Sequence, residues 1–132
     1  MTNSNLPKHE ITLIADDIRE EKGNKISLIG IYGDDIICES LPAMLSKLCF
    51  CTIISGGKGE HILRLSLKDP NGKELLIAKN EIAITLKEGL GHINNCISPF
   101  PASKEGSYTY SISIDGNEFC RAVFTIKKGK VS

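Results

Sequence analysis

Aromatic side chains are scarce in this sequence: four Phe, three Tyr and no Trp, 5% of 132 residues. A surface that stacks single-stranded bases needs several exposed rings, so the composition argues against that class of nucleic-acid binder. Net charge is missing too. Sixteen Lys and Arg balance sixteen Asp and Glu, whereas a general nucleic-acid binder needs a phosphate-neutralising excess. No stretch reaches the roughly 18 consecutive apolar residues of a membrane helix. The start, MTNSNLPKHE, holds no apolar run suited to a signal peptide. The spacings His-x-His, His-Glu-x-x-His, Cys-x-x-Cys and Gly-x-Ser-x-Gly are absent, as is the Gly-x-x-x-x-Gly-Lys-Ser/Thr phosphate loop. Helical periodicity is hard to find anywhere.

What is present describes a globular domain. The 41% apolar and 24% charged fractions exclude wholesale disorder. A chain of this length hides roughly two-thirds of its unfolded surface and needs no staples to do so. The five cysteines, Cys38, Cys49, Cys51, Cys96 and Cys120, are odd in number and sit among apolar neighbours. They read as reduced, buried thiols of a cytoplasmic protein.

The apolar pattern is that of strands. Tyr108, Tyr110, Ile112 and Ile114 alternate with Thr109, Ser111 and Ser113. Asp115-Gly116-Asn117 follows, a hairpin signal because Gly tolerates positive φ. The return strand puts Cys120, Ala122, Phe124 and Ile126 on one face and Arg121 and Thr125 on the other. In a second hairpin, Leu63, Leu65 and Leu67 point inward, Asp69-Pro70-Asn71-Gly72 turns the chain, and KELLIA leads back. That return continues to Leu86 past a kink near Asn80. Earlier, Ile11–Ala15 is a strand, Asp16–Lys22 an acidic stretch, and Gly23-Asn24 a turn. Lys25–Tyr32 and Leu48–Ile54 are apolar on both sides of their pleats, which predicts central strands covered on both faces. Leu41–Lys47 has room for one helical turn at most. Residues 88–95 read as irregular, Cys96-Ile97 as a short strand, and residues 98–106 as a proline-shaped connection. The expectation is all-β: an antiparallel, immunoglobulin-like β-sandwich of seven to eight strands with little or no helix. It occupies residues 9–128, with tails at 1–8 and 129–132.

The order of these signals resembles a family of small bacterial β-sandwich domains of unknown function. The resemblance rests on Ala15-Asp16 through Gly23 and Lys25 to Gly30, then Leu41-Pro42-Ala43, then Asp69-Pro70-Asn71-Gly72-Lys73. It finishes on Pro99-Phe100-Pro101, Gly106-Ser107-Tyr108 and Asp115-Gly116, and spans about residues 10–127. It implies the sandwich fold and offers no catalytic residue. The cysteine load departs from the family pattern.

Several clusters invite chemistry. Asp16, Asp17, Glu20 and Glu21 form one acidic run; Asp34, Asp35 and Glu39 form another; Asp69 and Asp115 sit in hairpin turns. Acidic sandwich loops hold calcium where they converge, since Ca²⁺ takes six to eight oxygens. Asp69 and Asp115 are also the residues a β-turn selects. Cys49-x-Cys51 has no second pair to complete a zinc site, and His9, His61 and His92 stand alone. A thiol enzyme would need one of the cysteines activated by a base. Lys127-Lys128-Gly129-Lys130 reads as a solvated basic end. No metal, cofactor or catalytic residue is assigned.

Two glycine-rich loops remain, Ser55–Gly59 and residues 88–95. Loops and sheet edges are where a domain without catalytic groups binds partners. The expectation is therefore a non-enzymatic protein-interaction module, an accessory, adaptor or inhibitor. Its candidate binding residues are Gly56, Gly57, Lys58, Gly59, Gly91 and His92. A calcium-dependent binding domain and a cryptic thiol enzyme are the alternatives, and a homodimer through an edge strand is compatible with all three.

Overall fold

The computed structural model describes residues 5–76 and 81–131. Eleven strands run through the described residues, and no helix. They are β1 Lys8–Glu21, β2 Lys25–Ile31, β3 Asp35–Cys38, β4 Ala43–Leu45, β5 Leu48–Ser55 and β6 Gly59–Lys68. Then come β7 Ile82–Leu86, β8 Leu90–Ile97, β9 Phe100–Ala102, β10 Gly106–Ile114 and β11 Asn117–Lys128. With no helix among the described residues, none is long and apolar enough to cross a membrane.

The strands form a four-stranded sheet, β2-β1-β5-β8, a five-stranded sheet, β3-β11-β10-β6-β7, and a two-stranded ribbon, β4-β9. All pairings are antiparallel except β3 with β11. The scarce aromatics explain how the sheets meet. Phe50 on β5 stacks on Tyr110 of β10, with ring centres 4.1 Å apart. Phe124 on β11 stacks on Tyr108 at 5.4 Å, and Phe100 closes the group edge-on against Tyr108. Five of the seven aromatic rings are thus spent in one buried cluster, each carrying a large apolar area into the core.

Turn chemistry works as the sequence predicts. Asp115 at φ 51° and Gly116 at φ 88° form the left-handed pair that joins β10 to β11. In the other hairpin the Asp69 carboxylate accepts from the backbone N–H of Asn71 and of Lys73, both at 2.9 Å. Those bonds, the Lys73 one foremost, hold its pKa below the usual 3.8, and Lys104 adds to them at 3.4 Å.

Several expectations are corrected. Eleven strands replace seven to eight. Asp16–Glu21 is not a separate acidic stretch; it continues β1, because residues 15–21 pair with residues 25–31 across the Gly23-Asn24 turn. β2 is not central but ends its sheet, and Ile29 and Ile31 are 43% and 53% exposed. Two-sided apolarity marked β5 correctly and β2 incorrectly, since pattern alone does not say what covers a face. The room for a helical turn at 41–47 is taken by β4, paired with β9. Residues 90–97 form a full strand, β8, because β5 supplies a complete ladder opposite. Among the described residues of the return from Gly72, Glu74 bridges to Lys68, and β7 pairs with β6. The kink near Asn80 and the first four residues of the tail lie outside the described residues. Within 5–8, Pro7 is buried and Lys8 opens β1.

The cysteines are corrected as well. Cys49 and Cys96 face one another on β5 and β8 and form a disulfide. Cys38, Cys51 and Cys120 are free and buried.

Candidate functional site

The two glycine-rich loops meet. The Gly56 N–H donates to the Gly89 carbonyl at 3.0 Å, which joins the end of β5 to the start of β8. Around that junction lies a groove of about 430 Å³. Its lining is apolar at Ile26, Ile54, Leu86 and Leu90 and charged at Glu20, Glu21, Lys25 and Lys87, with His92 alongside. Leu90 is 78% exposed, the most exposed large apolar side chain among the described residues. The tip of the β1–β2 ribbon supplies one wall of this groove, and β1 approaches β8 although β5 lies between them in the sheet.

The candidate residues are partly gathered there. Gly56, Gly91 and His92 line the groove. His92 Nδ1 accepts from the side-chain N–H of Asn94, 2.9 Å away on the same face. Gly59 begins β6 opposite Leu86. Lys58 is exposed, and its carbonyl accepts from the side chain of Asn5. Gly57 faces away from the groove, into a separate polar cluster.

That cluster centres on His61, which is only 2% exposed. Its Nδ1 donates to Asp115 Oδ2 at 2.8 Å and its Nε2 to the Gly57 carbonyl at 2.6 Å. Both partners are acceptors, an arrangement that the doubly protonated, positively charged ring satisfies in full. Burial alone would lower the pKa of His61. The Asp115 hydrogen bond and the Gly57 carbonyl outweigh it and raise the value above the ordinary 6.5. Asp115 Oδ1 also accepts from the Ile62 N–H at 2.9 Å. Gly57 has φ +74°, and a Cβ there would run into Pro7, so only glycine fits this close approach. One buried ring therefore ties together the loop after β5, the β10–β11 turn and, through Gly57, the N-terminal segment.

A His–Asp pair is two-thirds of a nucleophilic triad. Here the outer nitrogen, which would serve the nucleophile, is committed to a carbonyl. The free thiols of Cys38, Cys51 and Cys120 are all raised in pKa by burial, which is the opposite of activation. Several of the acidic groups are similarly committed. Asp16 accepts from the Tyr32 hydroxyl, Asp17 from Lys47 at 2.9 Å, and Asp35 pairs with Lys127 at 3.1 Å. Among the described residues no three His, Cys, Asp or Glu side chains are placed to hold a metal ion.

Sequence reasoning found the Gly56–Lys58 loop, read residues 88–95 as irregular where β8 stands from Leu90 on, and missed the ribbon wall. The signal was present: Gly23-Asn24 can turn only if residues before it pair with residues after it. It also missed the His61–Asp115 pair, whose members lie 54 positions apart, His61 on β6 and Asp115 in a turn that looked self-sufficient.

These features define an all-β domain of several antiparallel-rich sheets, with a mixed-charge groove and a histidine-fastened loop beside it. The chain belongs to the family described as a family of unknown function, DUF6941, whose model matches residues 10–127. No curated protein matches it. Among solved structures it is similar to the Pseudomonas fluorescens alkylpurine DNA glycosylase AlkC bound to DNA containing an abasic site analog. The identity is 11% and the TM-score 0.46, over 93% of this chain and 31% of that one. The chain thus spans about a third of that enzyme's length, and a likeness so distant carries no reading of activity.

Proposed function

We propose that this domain, an immunoglobulin-like sandwich, is a non-enzymatic module that binds another protein in the groove between the β1–β2 tip and the Gly56–Gly89 junction. The observation that carries the reading is the joining of two glycine-rich loops beside exposed Leu90. An apolar lining with mixed charges suits a short peptide segment, whose side chains supply apolar anchors and whose backbone supplies hydrogen bonds. Among the described residues that line the groove there is no cysteine or serine. The cytoplasmic location expected from the sequence rests on the thiols that stay reduced; the Cys49–Cys96 bond weighs in the other direction.

A photo-crosslinking residue at position 87 tests the reading in the native source. The expected result is one dominant protein adduct that disappears on Leu90→Asp, with the melting temperature unchanged. Adduct formation indifferent to Leu90→Asp would overturn it.

A further inference from the structure

We propose that gain or loss of a proton at His61 sets the shape of the groove, by holding or releasing the Gly57 carbonyl one residue from the Gly56–Gly89 junction. The proposal rests on the groove as the binding site, but the movement itself does not depend on what binds there. Three bonds in a row fix this loop. His61 Nε2 meets the Gly57 carbonyl at 2.6 Å, the Gly56 N–H reaches the Gly89 carbonyl at 3.0 Å, and the Lys58 carbonyl accepts from the side chain of Asn5. Of these, the first depends on a group that titrates near neutral pH.

The ring's two partners do not share the loss of a proton evenly. Asp115 is a carboxylate and keeps the remaining N–H on Nδ1. Nε2 then turns a lone pair toward the Gly57 oxygen, and two buried acceptors do not stay 2.6 Å apart. The ring has little room to retreat, being 2% exposed and anchored by Asp115. The loop is the part that yields. Gly57 lies against Pro7, where even a Cβ would collide, whereas nothing stands within 4 Å of the Cβ position of Gly56. Gly56, Gly57 and Gly59 all have positive φ, and glycine moves between such conformations without a side-chain penalty. Release of Gly57 therefore passes directly to Gly56, which lines the groove.

Asp115, from the β10–β11 turn, is the charged group that faces the ring. The loop presents backbone, with the Lys58 side chain exposed; β7 sets Ile84 opposite His61 on the ladder; Glu60, beside it on β6, is exposed on the other face. Burial lowers the pKa of His61, and the Asp115 hydrogen bond and the Gly57 carbonyl outweigh it, so release falls above pH 6.5. A peptide that fits the joined form binds best below that transition.

An NMR titration of the isotope-labelled full chain from about pH 5 to pH 9 tests this. The expected result is one common midpoint for the His61 ring and for the amides of Gly56, Gly57, Lys58 and Gly89. Asp115→Asn should lower that midpoint by about 1–3 pH units, ring and loop together. His92→Gln, which removes the histidine lining the groove, should leave it unchanged. A ring that titrates while the four amides stay still would overturn the proposal. So would amide shifts that vanish in His92→Gln, or a His61 ring that keeps one protonation state throughout. Crosslinking to a partner plays no part in this readout, so a groove without a partner and a loop without a switch give separate results.

Discussion

Strands β5 and β2 carry similar apolar runs, LCFCTIIS and KISLIGI, in very different surroundings. β5 has β1 on one side and β8 on the other, and from Leu48 to Thr52 every residue is buried. β2 has only β1, and its last three residues are exposed. Covalent and polar fastenings follow the same division. Cys49 ties the start of β5 to β8, and the loop after β5 is held by Gly89 on one side and His61 on the other. Apolar content thus measures the capacity of a strand to be buried, and neighbours decide whether the capacity is used. Where it is unused, the strand becomes a surface with something to offer a partner.

The comparison breaks hardest at Phe50. Phe50→Ala removes the ring stacked on Tyr110 and should cost about 3–5 kcal/mol, read by denaturant unfolding. Separating Cys49 from Cys96, which closes a loop with a sequence separation of 47, should cost about 2–4 kcal/mol. Thermal melts with and without a dithiol reductant, with thiol counting in denaturant, measure it; an equal loss in Cys96→Ser shows that the bond and not the reagent is responsible.

His61 gives the third effect, and its sign is fixed. Its folded pKa is raised above 6.5, so its stabilisation is complete below about pH 6.5 and is lost as pH rises through the folded value. Melting temperature should therefore fall from pH 6 to pH 8. Asp115→Asn keeps a residue that tolerates the left-handed turn but removes the charge facing the ring. It should cost about 1–3 kcal/mol at pH 6 and flatten the pH dependence. Ile29→Lys on β2 closes the series, with a change in stability within about 0.5 kcal/mol. A loss as large as that of Phe50→Ala would erase the distinction between the two strands.

Local chemistry was legible where it was self-contained. Asp115-Gly116 and Asp69-Pro70-Asn71-Gly72 state their own turns, and the alternation from Tyr108 to Ile114 names its inward face. The apolar neighbours of Cys49 and Cys51 predict burial, and both are buried, though Cys49 is bonded to Cys96 and not a reduced thiol. What was not legible depends on pairing between distant segments. The short β3 exists only because β11 lies beside it, β4 only because of β9, and the disulfide because residue 96 falls opposite residue 49. The same holds for the groove. Its two glycine loops announced themselves, whereas its third wall depends on where the β1–β2 ribbon reaches.

The parallel contact of β3 with β11 bears on how the molecule comes to be made. β3 has no other partner in its sheet, and the partner arrives about 90 residues later. Phe50 likewise waits for Tyr110. A chain emerging from the ribosome must hold its first half, with the most apolar strand already made, until the last hairpin appears. Long-range closures of this kind slow folding and leave strand edges open to wrong partners meanwhile. The β10–β11 hairpin, tight and local, forms quickly once synthesised. Only once it is made can β3 and Phe50 meet their partners.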